Sequence, residues 1–308
     1  MTHKLLVLSH SSPAYMEALA KLKLPKLKIL PKSSENLSKA DIWLAEPHIA
    51  APLMNKGNAL RWMQSTYAGI DALFKQPRKI TFELTRVQQN FIPMLSEYVF
   101  SYILAKNRQH YHYRQLQHHR RWQTLSYEPL SQQTALILGT GTVGQSLCET
   151  ANHFNLKVIG VNRHGNCPAP FKKAVSKHKL NQVLPQADII ICCLPSTKET
   201  KNIFNAERLK HLKSTALLIN IGQGDLIDHQ ALLLHLSLNP ANLAVLDAHH
   251  QEPLKETNPL WQCPNAVITP RVAAQSQIQD VVDQFEENYM RFLKKQPLKN
   301  KVDSIKDF

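Results

Sequence analysis

Glycine is scarce in this 308-residue chain, nine in all, so three glycines within the six positions 139–144 form a local device and not a background of turns. Cysteine is scarce too. The five present are an odd number with no C-x-x-C pair, which argues against a disulfide framework or a cysteine-based zinc site and for reduced thiols in a cytoplasm. No metal site is expected from the sequence. No apolar run approaches the ~20 residues that span a bilayer, and the N-terminal "KLLVLSHSS" has too short an apolar core for a signal peptide. These absences predict a soluble, cytoplasmic protein with no membrane partner. The longest apolar run around Cys192 and Cys193, "ADIIICCLP", is expected to be a strand that buries them alternately.

Acidic residues are also in short supply, 23 against 37 Lys and Arg with 15 His besides, for a formal net charge of +14. Such a chain attracts polyanions. The charge concentrates in "KNRQHYHYRQLQHHRR" (106–121), where His110, Arg114, His118 and Arg121 share one face at helical spacing. Nucleic acid has to be considered for that face. No nucleic-acid motif accompanies it, however, so a solvated basic face is the simpler account and a nucleic-acid partner is not expected.

The length predicts two domains, each with its own core. Short apolar runs at 5–9, 41–46, 60–65 and 80–85 read as strands of a first α/β unit, followed by one long helix from about Met94 to near Trp122. A second unit alternates strands at 134–138, 156–161, 188–193, 215–220, 242–246 and 266–269 with helices at 142–154, 178–184, 205–212 and 228–238. That rhythm is doubly wound α/β on a parallel sheet. A last amphipathic helix, 276–295, is placed to return to the first domain.

Within "TALILGTGTVGQS" (134–146) an apolar strand ends at a G-x-G-x-x-G and a helix begins. The pattern alone is weak, but this context is the one a dinucleotide needs. Gly139 makes the tight turn, Gly141 admits a pyrophosphate to the backbone, and Gly144 lets helix and sheet pack closely, while Thr142 and Val143 present helix N-terminal amides. The strand after the helix ends "VIGVNRHG". Asn162 and Arg163 stand where an acid that binds the ribose hydroxyls of NAD belongs, and the arginine suits a 2′-phosphate. NADP is therefore expected in preference to NAD.

Four stretches carry a family resemblance: "QSTYAGID", "PMLSEYVFSYILAKNRQ", "CLPSTKETKNIFNAERLKHLKSTALLINIGQGDLIDHQAL" and "LDAHHQEPLKETNPLWQCPNAVITPRVAA". Together they resemble the D-isomer-specific 2-hydroxyacid dehydrogenases, in particular the glyoxylate/hydroxypyruvate reductase-like branch. The resemblance covers nearly the whole chain, strongly from about residue 60 onward. It implies two doubly wound parallel-sheet domains with a cleft between them: a flavodoxin-like substrate domain (1–98 plus 278–308) and a Rossmann cofactor domain (99–277). It also implies a homodimer, a small 2-keto or 2-hydroxy acid as substrate, and cofactor contacts from Leu194, Pro195, Ile221 and Asp247 beside the glycine loop. Backbone amides around Ala68 and Gly69 would nest the substrate carboxylate.

The family's chemistry uses an arginine for the substrate carboxylate, a histidine that passes the proton, and a glutamate that orients the histidine. Carried onto this chain, the glutamate is Glu252 in "QEP", but the arginine's place in "INIGQGDLID" holds Gln223 and the histidine's place in "ITPRVAA" holds Arg271. Glutamine brings neither charge nor a bidentate fork. A guanidinium keeps its proton at neutral pH and cannot serve as general acid and base, and losing such a group typically costs ~10²- to 10⁴-fold in rate. The expectation is an oxidoreductase of this family whose activity is weak or lost, or else a cofactor-binding sensor or scaffold. His48, His249 and His250 are the alternative imidazoles, and exposed loop histidines are the plainer expectation for the last two.

Overall fold

The computed structural model describes residues 2–67, 69–74, 80–87 and 91–302. The chain divides into two compact units, Met1–Asn90 with Gln275–Phe308, and Phe91–Ala274. The limits at 90/91 and 274/275 fall eight and three residues before the expected 98/99 and 277/278, and they leave the helix Ile92–Asn107 wholly in the second unit.

The first stretch of chain supplies β1 (His3–Leu8), α1 (Ser12–Leu22), β2 (Leu27–Leu30), α2 (Ser34–Lys39), β3 (Ile42–Ala45), α3 (Pro47–Ala50), β4 (Trp62–Ser65), α4 (Asp71–Phe74) and β5 (Glu83–Thr85). Next come α5 (Ile92–Asn107), α6 (His110–His118), β6 (Thr134–Leu138), α7 (Thr142–His153), β7 (Lys157–Asn162), β8 (Ala174–Ser176) and α8 (Leu180–Val183). The remainder is β9 (Ile189–Cys192), α9 (Ala206–Leu209), β10 (Leu217–Asn220), α10 (His229–Leu238), β11 (Leu243–Leu246), β12 (Ala266–Ile268) and α11 (Ile278–Leu293).

Both sheets are parallel throughout. The first has five strands in the order β2-β1-β3-β4-β5, the second seven in the order β12-β11-β10-β9-β6-β7-β8. A parallel strand covered on both faces must be apolar on both, and β1, β3, β6, β9 and β10 are accordingly near-continuous apolar runs. In the second unit one face of the sheet buries Leu136, Leu138, Ile190 and Leu218 under α8, α9 and α10, and the other buries Ile137, Ile191 and Ile219 with Leu147 of α7 and Val99 and Ile103 of α5. In the first unit α11 is strongly amphipathic and buries Val281, Val282, Phe285 and Tyr289. Phe285 stacks on Trp62 of β4 at 5.0 Å, and the Tyr289 hydroxyl donates to Pro25 O at 2.8 Å.

Three local readings differ from the sequence expectation. The helix expected from Met94 to Trp122 is two helices, because Gln109 takes a left-handed backbone (φ 57°) that ends α5 and starts α6. The apolar spacing that holds α5 in the core stops at Leu104, and no residue of α6 is buried. Strands β2 and β8 were not expected: both are short edge strands, β2 carries a lysine mid-run, and neither is fully buried. Cys193 lies just beyond β9, so only Cys192 is a strand residue. Among the described residues no helix is long and apolar enough to cross a membrane.

Candidate functional site

The order of the seven-stranded sheet reverses at β6, with β9 on one side and β7 on the other, and the crevice at the carboxyl ends of such strands is where open α/β sheets bind ligands. The glycine loop sits there. Gly139 follows β6 with φ +110°, a conformation closed to other residues at little cost. A Cβ on Gly144 would stand 1.8 Å from Gly139 O, so strand and helix approach as closely as expected. A Cβ on Gly141 would meet nothing within 4 Å. Gly141 is the N-cap of α7 and makes no side-chain cap, so the first amides of Thr142, Val143 and Gly144 are left for a ligand. That open cradle fits a pyrophosphate. Leu194 and Pro195 follow β9 and Ile221 follows β10 at the same edge of the sheet, with Ile221 N donating to Cys192 O at 3.1 Å.

At the end of β7, Asn162 organises its own loop. Its amide nitrogen donates to Thr140 Oγ1 (2.9 Å) and Asn166 O (2.6 Å), while its oxygen accepts from the His164 and Gly165 amides. Arg163 is largely exposed and donates through Nη2 to Glu199 Oε1 at 3.1 Å. Lys177 Nζ binds the other oxygen of Glu199 at 2.5 Å. The Lys177 hydrogen bond, then the charges of Arg163 and Lys177, hold the Glu199 carboxyl below its ordinary range. Arg163 is thus half of a cationic pair. Sequence reading missed Lys177 because it follows the unrecognised strand β8, which pairs with β7 and carries it alongside.

The three positions that the resemblance ties to catalysis converge. Arg271 Nε donates to Glu252 Oε2 at 2.6 Å, and its Nη2 donates to Gln223 Oε1 at 3.2 Å. Glu252 Oε1 accepts from the His249 amide at 2.9 Å. Gln223 caps the short 3-10 helix Gly224–Leu226, with its carbonyl held by Asn220 Nδ2 at 2.9 Å. Arg271 sits in a left-handed turn (φ 53°) that Asp247 pins, its carboxylate accepting from Thr269 Oγ1 (2.7 Å) and the amides of Val272 (2.7 Å) and Ala273 (3.1 Å). Asp247 is 6% exposed and has both oxygens engaged in this turn. Tyr98 of α5 extends the chain to Thr269 Oγ1 at 2.6 Å, and burial pushes its phenol well up.

His249 departs from the expected exposed loop: it is 6% exposed. Its Nε2 pairs with Thr269 O at 3.0 Å, and its Nδ1 is buried without a partner among the described residues. The loop can turn inward because Gly224 lies against the His249 carbonyl, where a Cβ would come within 1.9 Å of its carbon. His250 is exposed, as expected. His229 at the start of α10 faces His249 edge-on at 6.4 Å, and burial, then the neighbouring His249 and His250, push its imidazole below the ordinary value. No sequence signal singled His229 out, since the contact is made by the fold.

In the first unit, Ala68 lies outside the described residues, while Gly69 has open space where a Cβ would be. His48 is on α3, half-exposed, just past the carboxyl end of β3.

The family model described as D-isomer specific 2-hydroxyacid dehydrogenase, NAD binding domain, matches residues 100–273. Among solved structures, a D-isomer specific 2-hydroxyacid dehydrogenase family protein from Aeromonas salmonicida is 41% identical with a TM-score of 0.87, over 98% of this chain and 99% of that one. An NADPH-dependent glyoxylate/hydroxypyruvate reductase from Sinorhizobium meliloti, solved with NADP and sulfate, is 26% identical with a TM-score of 0.81 over the whole of both chains. The glyoxylate/hydroxypyruvate reductase A of Serratia proteamaculans is 29% identical over 245 residues, 77% of this chain and 78% of that protein.

Proposed function

This chain belongs to the D-isomer specific 2-hydroxyacid dehydrogenase family, and we propose that it binds NADP(H) in preference to NAD(H) and passes hydride to a small 2-keto acid only weakly. When bound, the nicotinamide supplies the hydride. The residues of this chain do the rest. The amides of Thr142, Val143 and Gly144 hold the pyrophosphate, and Arg163 with Lys177 takes the 2′-phosphate in place of Glu199. Arg271 and Gln223 are left to hold the substrate carboxylate.

The observation that carries the reading is the Arg271–Glu252 pair. The glutamate that would orient a proton-passing imidazole instead grips a guanidinium at 2.6 Å, and a guanidinium does not give up its proton at neutral pH. The experiment is NADPH consumption with glyoxylate, hydroxypyruvate and pyruvate beside cofactor binding by thermal shift. We expect binding with turnover ~10²- to 10⁴-fold below an intact general acid. Turnover at the rate of an intact enzyme overturns the reading. Binding with no turnover at all favours a second reading, a cofactor-binding sensor or scaffold, which the double commitment of Arg271 to Glu252 and Gln223 supports.

The same reading makes the protein a cytoplasmic homodimer, in keeping with its five free cysteines and with the exposed Tyr111, Tyr113, Trp122 and Tyr127 on and after α6, an apolar set that a second copy would cover. Sedimentation of the protein and of its Trp122→Ser variant tests this.

A further inference from the structure

We propose that His10, Glu46 and His48 form a binding site for a divalent transition ion of the Zn²⁺ class at the carboxyl ends of β1 and β3. In the five-stranded sheet the order reverses between β1 and β3, so this is the switch point of the first unit, the place where such sheets open a crevice. His10 follows β1 by two residues, Glu46 follows β3 directly, and His48 lies in the first turn of α3.

The cluster is arranged as a ligand set. The Glu46 side chain is 5% exposed. One of its oxygens, Oε1, is fixed from behind by Ser9 Oγ at 2.5 Å and the His10 amide at 2.9 Å. The other, Oε2, faces both imidazoles, at 2.8 Å from His10 Nδ1 and 3.3 Å from His48 Nε2. All three donor atoms lie within 4.8 Å of one another. Holding the spare oxygen of a carboxylate ligand in this way is how metal sites orient their ligands.

The imidazoles are held as well. The rings of His10 and His48 stack at 5.5 Å, and His48 stacks on Tyr67 at 6.0 Å. Two imidazole nitrogens converge on one carboxylate oxygen. Two imidazoles and a carboxylate are the donor set of zinc sites that keep a fourth position open, and their nitrogen character disfavours Mg²⁺ and Ca²⁺. The outer sides of His10 (75% exposed) and His48 (40%) leave that fourth position to water or an oxygen ligand.

The test is equilibrium dialysis and calorimetry of the full chain, stripped of metal, against Zn²⁺, with Co²⁺ as an optical probe. His10→Gln, His48→Gln and the double variant are the controls. Both side chains reach solvent, so folding is retained, and NADPH thermal shift checks that. The wild type should bind one equivalent that each single variant weakens at least ~10-fold and the double variant lacks, with tetrahedral Co²⁺ bands that vanish in the double variant. Equal affinity and stoichiometry in wild type and double variant would place the ion on other histidines or cysteines and overturn the proposal. So would the absence of binding at millimolar Zn²⁺.

Discussion

Arg271 reaches Glu252 through Nε at 2.6 Å from a backbone turned left-handed at φ 53°, and the same guanidinium reaches Gln223 at 3.2 Å. The pair is partly exposed, 40% and 31%, so it contributes about 0–1 kcal/mol and can be exchanged without loss of the fold. Histidine tolerates a left-handed backbone better than most residues. The double variant Gln223→Arg, Arg271→His is therefore expected to stay folded and to raise kcat with NADPH and glyoxylate or hydroxypyruvate by ~10²-fold or more. Arg271→His alone should restore part of this and bring in a pH-dependent limb. No gain in either variant would show that more than these two side chains has been lost.

The glycine loop separates packing from ligand approach. Gly144→Ala puts a methyl group 1.8 Å from a backbone oxygen, and overpacking of that kind costs about 1–3 kcal/mol or more. Gly141→Ala meets no atom within 4 Å, so stability should move by under about 1 kcal/mol while NADPH affinity falls at least tenfold. Thermal melts with and without NADPH read both effects. Unchanged affinity in Gly141→Ala would place the pyrophosphate elsewhere.

Glu199 pairs with Arg163 and Lys177, so in the proposed NADP(H) complex it would compete with the 2′-phosphate for both. Hydrogen bonds to charged groups are worth about 1.5–3 kcal/mol, so Arg163→Ala should weaken NADPH binding by ~10- to 100-fold and leave NADH nearly unchanged. Glu199→Gln should do the opposite and tighten NADPH severalfold. Titrating both cofactors by fluorescence tests the pair, and equal effects on NADPH and NADH would remove the 2′-phosphate from this corner.

Burial lowers the His229 imidazole, with His249 and His250 adding to it. Between that lowered value and the ordinary one near ~6.5, the unfolded chain holds more protons than the folded one. The contribution is therefore complete above the ordinary value and is lost as pH falls through the interval. His229→Gln should flatten the dependence of the urea midpoint on pH below about 6.5, by at most about 1.4 kcal/mol per pH unit. Identical slopes in wild type and variant would refute it.

The glycine loop, most of the alternating strands and the two positions where the resemblance expects an arginine and a histidine could be read from residue order, because each is a local pattern: an apolar run stopped by glycine, or a residue that departs from the resemblance inside a matching stretch. Lys177 could not, since its partnership with Arg163 depends on a three-residue edge strand too short to leave a periodic signal. Nor could the inward turn of His249, which Gly224 permits from 25 residues away in the chain. His10 and Glu46 are likewise brought together by the pairing of β1 with β3, a long-range register that neither segment encodes alone. Sequence by itself determined which chemical groups are present and most of the elements that carry them. Tertiary structure decided which of those groups share a carboxylate, because parallel strands bring distant loops to one edge whatever their separation along the chain.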